Sequence, residues 1–510
     1  MDRRDTSVAG GRINYDAEFC GKVPLHQTNL VQPHGVLLVV KSDDLTILQG
    51  SENAAEVLGD NADKVVGRSL AEMLTPAEVA SLRQRLQGDL EGKIPVTLTL
   101  AGKSRLALVQ KQGAYFLAEV EKEEYAAADS FVEVYQELKF AISTIESADG
   151  TEEACSVAAR EIRRLSGFDK VMIYRFDKEW NGEVLAEEMS EGMDSYLGLK
   201  FPASDVPKPA RDLYQRTPYR LIPNINYDPI KLHPVINPLT GAFTDLTDSN
   251  LRSVVPVHIE YLRNMKVSAS MSTRILCDGK LWGLIACHHR EPKYLSYQEC
   301  SVFELLSHVI SARISALTNA ETHNHKTGMQ QQLTRVMESV YRGGSLLQGL
   351  KTQEDALLRM LGAGGMAFTF DRQVELLGQT PNAGAVRDLI YWLQTHSVHK
   401  TFQETSLSAA YEDAEAYVEV ASGLLALPVQ PDKGEYILVF RPEVIRTTDW
   451  GGNPNEAVQF EADSKNYHPR NSFRLWQETV RKTAIPWSHA EMEVAENFRA
   501  LVIEYTLNRM

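Results

Sequence analysis

The strongest constraint in this 510-residue sequence is a single unbroken helical pattern that begins near Ser296. Phe303, Leu306, Ile310, Ile314 and Leu317 recur at spacings that put them on one face, and helix-compatible residues continue through 330–340. A helix of that length links domains or forms a dimer seam. The chain is therefore expected as separate blocks joined by long helices, and its length allows about three domains.

The first block, residues 1–128, has an α+β pattern. Strands are expected at 35–40, 45–50, 96–100, 105–110 and 114–119, with a helix over 71–86 around Thr75-Pro76. A helix at 131–147 opens the second block, residues 129–318. It continues with a helix at 152–166, a strand at 170–175, and strands at 270–276 and 281–288. The last two are joined by Cys277-Asp278-Gly279-Lys280, where Asp-Gly signals a hairpin. Residues 202–250 hold eight prolines and little periodicity, so we expect an irregular, functional segment there. The third block, residues 319–510, is again α+β and closes on a helix over 490–510. Val494, Phe498, Leu501, Tyr505 and Asn508 follow the spacing of a coiled-coil seam. Such a helix either packs on its own domain or pairs with another chain; the second is expected, with an output domain beyond residue 510.

The formal net charge of -15 argues against a nucleic-acid groove or an anionic membrane as principal partner. Apolar runs such as 35–40 and 281–287 are strand-sized, so no membrane span is expected. Residues 1–15 are charged and lack the apolar core of a secretory signal. Cys20, Cys155, Cys277, Cys287 and Cys300 are scattered and odd in number, which fits a reducing cytoplasm better than a disulfide framework or a zinc site. Cys20 stands apart in a polar segment where a thiol can be reached.

Residues 220–288 carry the most suggestive chemistry. Arg220 and Arg252 can pair with carboxylates through their forked donors. Ser270 and Ser272, at alternate positions of one strand, point to one face, near His258 and His288. The set suits a large planar ligand with two carboxylates, although surface ion pairs and satisfied core residues would leave the same composition. Cys287, His288 and His289 cannot converge on one metal from a single strand. No Walker loop, G-x-S-x-G elbow or H-E-x-x-H occurs, and no enzymatic activity is expected.

Longer motifs carry a family resemblance. Pro202-Ala203-Ser204-Asp205-Val206-Pro207 resembles the motif of the GAF domain of phytochromes. Leu251-Arg252-Ser253, Pro256, His258 and Tyr261-Leu262-Arg263-Asn264-Met265 are similar to the next signature, and Leu281-Trp282-Gly283-Leu284-Ile285-Ala286-Cys287-His288-His289 to a third. Leu30-Val31-Gln32-Pro33-His34-Gly35 follows Cys20 at the family's distance. Trp450-Gly451-Gly452-Asn453-Pro454, Pro469-Arg470-Asn471-Ser472-Phe473 and Trp476-Gln477-Glu478 resemble the two limbs of the phytochrome tongue. Two departures stand out. Residues 23–29 read Val-Pro-Leu-His-Gln-Thr-Asn, unlike the family's stretch, and Val257 occupies the place where plant phytochromes carry their attachment cysteine.

The resemblance to bacterial phytochromes, some of which carry a diguanylate cyclase, implies three tandem PAS, GAF and PHY domains with antiparallel sheets. It also implies an N-terminal figure-of-eight knot, with Leu30 threaded through a loop at about 225–250, and a tongue at about 445–482. It implies a red/far-red photoreceptor in which biliverdin IXα is held by a thioether to Cys20 and isomerises at C15=C16. Arg220 and Arg252 would bind one propionate, and Ser270, Ser272 and His288 the rest of the propionate and ring-D polar groups. Asp205, through its carbonyl, and His258 would hold the pyrrole N–H groups; Tyr174, Tyr214 and Tyr261 would line the pocket. For the switch, Arg470 would pair with Asp205 in one state and Ser472 replace it in the other, with Trp450 and Trp476 as packing anchors. A parallel homodimer through the long helices and a C-terminal histidine kinase or diguanylate cyclase complete the expectation. A sensor of another small ligand and a tetrapyrrole enzyme are the alternatives.

Overall fold

The computed structural model describes residues 28–87, 92–125, 131–343, 345–370, 373–456, 458–460 and 467–507. It divides into two compact units: residues 1–317 with 450–476, and residues 318–449 with 477–510.

The first unit contains two large sheets, besides a two-stranded pairing of Val458–Phe460 with Tyr467–Pro469. In the N-terminal sheet, antiparallel strands Ile47–Ser51, Gly35–Lys41, Tyr115–Glu121, Lys103–Gln112 and Ile94–Leu100 lie side by side in that order. Gly35–Lys41 is buried along nearly its whole length, because short helices and the helix Pro76–Gln87 cover one face while residues from further along the chain cover the other. The helix starts at Pro76 and not at residue 71, since Leu70–Glu72 forms a separate 3-10 turn. A reciprocal capping box fixes that start: the Thr75 backbone N–H donates to Glu78 (2.8 Å) and the Glu78 N–H donates to the Thr75 hydroxyl (3.3 Å).

The edge of this sheet is completed from elsewhere in the sequence. Strand Ile230–His233 pairs with Ile47–Ser51 on one side and with Leu30–Val31 on the other. Leu30–Val31 is gripped from both sides, because the Ser253 N–H donates to the Leu30 carbonyl (2.9 Å) and the Gln32 N–H to the Leu251 carbonyl (2.6 Å). These are the bonds a threaded segment would make. Cys20 and the rest of residues 1–27 lie outside the described residues.

The second sheet runs in the order Tyr219–Ile222, Ala269–Cys277, Lys280–His289, Lys170–Phe176, Gly182–Met189 and Lys200–Phe201. Its hairpin turn places Asp278 at φ 51° and Gly279 at φ 74°, the paired positive angles that an Asp-Gly turn supplies. The helix Thr151–Ser166 buries Cys155, Ala158 and Ile162 against the sheet, and ends where Gly167 adopts φ 62°. The proline-rich stretch proves more ordered than its sequence implied. It holds the helix Lys208–Arg216 and strands Tyr219–Ile222 and Ile230–His233, whose register is set by partners outside the stretch.

The long helix is Tyr297–Arg342, 46 residues, opened by a Ser296–Glu299 capping box. By length and mean hydropathy (1.3 over its most apolar window) it would suffice for a membrane span, which the strand-sized runs did not anticipate. Phe303, Leu306, Ile310 and Ile314, however, are fully packed into the second sheet's core, which a lipid-facing helix would not do.

The second unit is built on an antiparallel sheet ordered Gln373–Gly378, Gly365–Phe370, Glu435–Arg441, Gly423–Gln430 and Phe402–Glu404. The final helix, His489–Leu507, corrects the coiled-coil expectation. Val494, Ala495, Phe498, Val502 and Tyr505 are buried in this unit's own core. Periodicity identified the apolar face, and the chain itself covers that face.

Candidate functional site

The site grows from four short elements of the first unit. A 3-10 turn at Ala203–Asp205 follows Pro202, and helix Lys208–Arg216 follows Pro207, so the prolines fix the entry into each. Helix Pro256–Asn264 carries His258 and Tyr261 three residues apart and therefore on one face. Strand Tyr219–Ile222 sets Arg220 directly opposite Ser272. Together these elements enclose a cavity lined by Asp205, Tyr214, Arg220, Arg252, His258 and Tyr261, along with apolar residues such as Leu213 and Val257.

At one end stands a pair of guanidiniums. Arg220 donates to the carbonyls of Asn250 (3.1 Å) and Arg252. Arg252, buried, donates to the Thr247 carbonyl (2.7 Å). Among the described residues neither makes an ion pair. Burial pushes the Arg252 guanidinium down to about 9, with the nearby Arg220 charge adding to the fall; burial also lowers Arg220. Two buried cations with no direct ion pair among the described residues are costly, so this end of the cavity fits an anionic group.

At the other end Asp205 is clasped by two donors. The Tyr261 hydroxyl donates to its carboxylate (2.8 Å), and Arg470, brought in by the segment 467–473, makes an ion pair with the same oxygen. Asp205 and Arg470 side chains are only 5% and 3% exposed. Burial raises the Asp205 pKa, opposed by Arg470 and Tyr261. Burial is the largest single influence on Arg470 and lowers it, but Asp205 together with Tyr261 and Tyr174 more than offsets this and the net shift is upward. Phe473 packs edge-on against Tyr261 (5.0 Å), and the Arg470 guanidinium lies over the Phe473 ring (4.8 Å). His258 stacks on Tyr261 and is held neutral: burial, then Arg220, push it down to about 4.

The remaining expected residues sit around this cavity. The Ser272 hydroxyl bonds the Tyr214 hydroxyl (2.5 Å) and so touches the lining from behind. Ser270 and His288 face each other across the hairpin, outside the lining; burial, then Lys170, push His288 down to about 3. Tyr174 packs with Phe201 and Tyr261 beside the clasp, in space left by Gly182, where a Cβ would overlap its ring at 1.6 Å. Trp450 is buried, its strand pairing in parallel with Lys200, whereas Trp476 is half-buried and Ser472 exposed. Gly452, at φ 97°, lets the backbone pass Ser472 so closely that a Cβ would lie 2.2 Å from the Ser472 carbonyl oxygen. Asn250 and Glu119, which no sequence motif singles out, belong to the support of Arg220.

Three family models match the chain: a PAS fold at residues 20–122, a GAF domain at 150–314 and a phytochrome region at 329–510. Cyanobacterial phytochrome B from Nostoc is 37% identical over 97% of this chain and 67% of its own length. A bacteriophytochrome from Xanthomonas campestris is 32% identical over 96% of this chain and 78% of its own. The chain spans about two thirds of the cyanobacterial relatives it matches (66% of phytochrome A from Nostoc). Among solved structures, a bacteriophytochrome from R. palustris superposes with a TM-score of 0.84 at 34% identity, covering 96% of this chain and 99% of that one. The photosensory core module of Stigmatella aurantiaca phytochrome gives 0.81 at 35%, covering 96% and 98%.

Proposed function

The chain belongs to the phytochrome family, and on that premise we propose that it is the light-sensing part of a red/far-red photoreceptor. The proposed chromophore is biliverdin IXα, attached by a thioether to Cys20. The observation that carries the reading is the pair of guanidiniums, Arg220 and Arg252, facing a cavity without an acidic partner among the described residues. Such a pair is suited to a ligand bearing carboxylates. Biliverdin, when bound, supplies visible absorption and a double bond that light can isomerise.

The chain's own residues then have distinct tasks. Arg220 and Arg252 hold a propionate. The Asp205 carbonyl and neutral His258 offer polar partners to pyrrole N–H groups, and Tyr174, Tyr214 and Tyr261 exclude water. Ser270, Ser272 and His288 form a second polar set behind Tyr214. The Asp205–Arg470 clasp is the two-state element: Ser472 takes the place of Arg470 when the segment 445–482 refolds, with Trp450 and Trp476 exchanging packing. A two-state element of this kind is what lets one site bias a distant one. We assign domain limits of 1–128, 129–318 and 319–510, a cytoplasmic location, and a parallel homodimer. The dimer must use a face of the long helices other than 494–505, which is filled. A histidine kinase or diguanylate cyclase would receive the signal.

The test is to add biliverdin to purified protein, denature it, and look for zinc-induced fluorescence of covalent bilin in wild type and Cys20→Ala. Native samples are scanned before and after red light. Label lost in Cys20→Ala and a reversible spectral change in wild type are expected. No coloured wild-type adduct would sink the reading.

A further inference from the structure

Arg220 does not stand alone. Both of its bonds go to backbone carbonyls of one tight segment, those of Asn250 and Arg252. The same segment is held from the opposite side by the N-terminal domain. The Asn250 N–H donates to both carboxylate oxygens of Glu119 (3.0 and 3.1 Å). The backbone of Asn250 thus receives Arg220 at its carbonyl and donates its N–H to Glu119. Two further contacts pin it: the Asn250 side-chain amide donates to the Tyr219 hydroxyl (2.7 Å), and the Gln32 amide reaches the carbonyls of Leu221, Asn250 and Arg252 (3.1, 3.4 and 3.4 Å).

Glu119 is an unusual residue for this position. It lies in the middle of strand Tyr115–Glu121, between Leu37 and Leu108 on the neighbouring strands, and is 5% exposed. A carboxylate is kept in such a place only when it is paired and bonded. Here Lys93 supplies the charge (3.4 Å) and Asn250 the hydrogen bonds. Substituting an apolar residue would leave the Asn250 N–H without its acceptor, and the carbonyls that aim Arg220 would lose their anchor.

We propose that Glu119, from the first domain, is a positioning residue for the carboxylate-binding arginine of the second, acting through the Asn250 backbone. This rests on the reading of Arg220 as a propionate ligand. It gives the N-terminal domain a part in chromophore recognition separate from carrying the attachment cysteine.

The test compares equilibrium uptake of biliverdin and of its dimethyl ester, followed by absorbance, on the full chain carrying Cys20→Ala so that binding is reversible. The ester keeps the ring system and lacks the charge that Arg220 recognises. Glu119→Ala should weaken biliverdin binding by roughly tenfold, the scale of losing an outer-shell support, and leave ester binding unchanged. Glu119→Gln, which retains an oxygen for the Asn250 N–H, should restore most of the preference for the diacid. Arg220→Ala serves as the reference for complete loss of that preference. If Glu119→Ala weakens diacid and ester equally, or leaves the diacid unaffected while Arg220→Ala abolishes the preference, the inference is overturned and the proposed function stands. If wild type does not distinguish diacid from ester, the reading of Arg220 itself fails.

Discussion

Breaking the Asp205–Arg470 clasp should release the segment 467–476 without unfolding the rest of the first unit. Both partners are almost wholly removed from solvent, so Arg470→Ala leaves a buried carboxylate with one neutral donor, Tyr261. Removing one member of a buried pair costs about 3–5 kcal/mol. Part of that cost is avoidable here. Burial already raises the Asp205 pKa, and loss of the cation lets the carboxyl take up a proton instead of staying charged. The lower figure, about 3 kcal/mol, is therefore expected, or roughly a hundredfold more frequent opening at 1.4 kcal/mol per decade. Asp205→Asn should cost a similar amount, because it strands Arg470, whose Nε and Nη1 have no hydrogen-bond partner among the described residues. With both changes present, neither charge is stranded. The double variant should fall short of the summed single losses by about 2 kcal/mol. Amide hydrogen exchange of 467–476 in the apoprotein, followed by mass spectrometry, measures each opening. Additivity within about 0.5 kcal/mol, or unchanged protection in Arg470→Ala, would refute the claim that the pair holds this segment.

Two further outcomes are expected. Gly452→Ala meets both a left-handed backbone and a carbonyl 2.2 Å away, and should speed proteolysis of the same segment; Gly67→Ala, at φ 85° with open space, isolates the backbone part of the cost and should leave it intact. Acid should destabilise the apoprotein early: His34 and His288 are pushed down to about 3 and His258 to about 4, burial being the leading cause in each. The unfolded chain binds protons on these three below its own pKa near 6.5, while the folded chain does not, so stability falls as pH drops from 6.5 towards 4. Each loses about 1.3 kcal/mol between pH 7.5 and 5.5, about 4 kcal/mol together, and an unshifted urea midpoint over that interval would contradict their burial as neutral rings.

Much of this molecule was legible because its information is local. The hairpin around Asp278-Gly279 declares its turn by residue type, and the continuous apolar runs 35–40 and 281–287 mark strands buried on both faces. The resemblance located Asp205, Arg220, Arg252, His258 and Arg470, and the structure brings all five to one cavity or its rim. What stayed hidden is non-local. Ile230–His233 has no pattern of its own among prolines, and its partners lie near residues 30 and 50. Glu119 carries no motif that marks it, and its partners Lys93 and Asn250 come from distant parts of the chain. The helix His489–Leu507 shows the opposite limit: spacing reveals an apolar stripe, and only packing reveals what covers it.

The borrowed strand Ile230–His233 has a consequence for synthesis. Leu30–Val31 obtains its two flanking partners from residues 230–233 and 251–253, so it waits for some two hundred residues to follow it. At translation rates of about 5–20 residues per second, that interval is on the order of ten to forty-five seconds. Through that time the outer strand Ile47–Ser51 presents an unpaired edge, the kind of surface that captures other chains. Nascent chains stalled before residue 253 should therefore be the ones that need a chaperone, even though every residue of the N-terminal sheet proper has already been made.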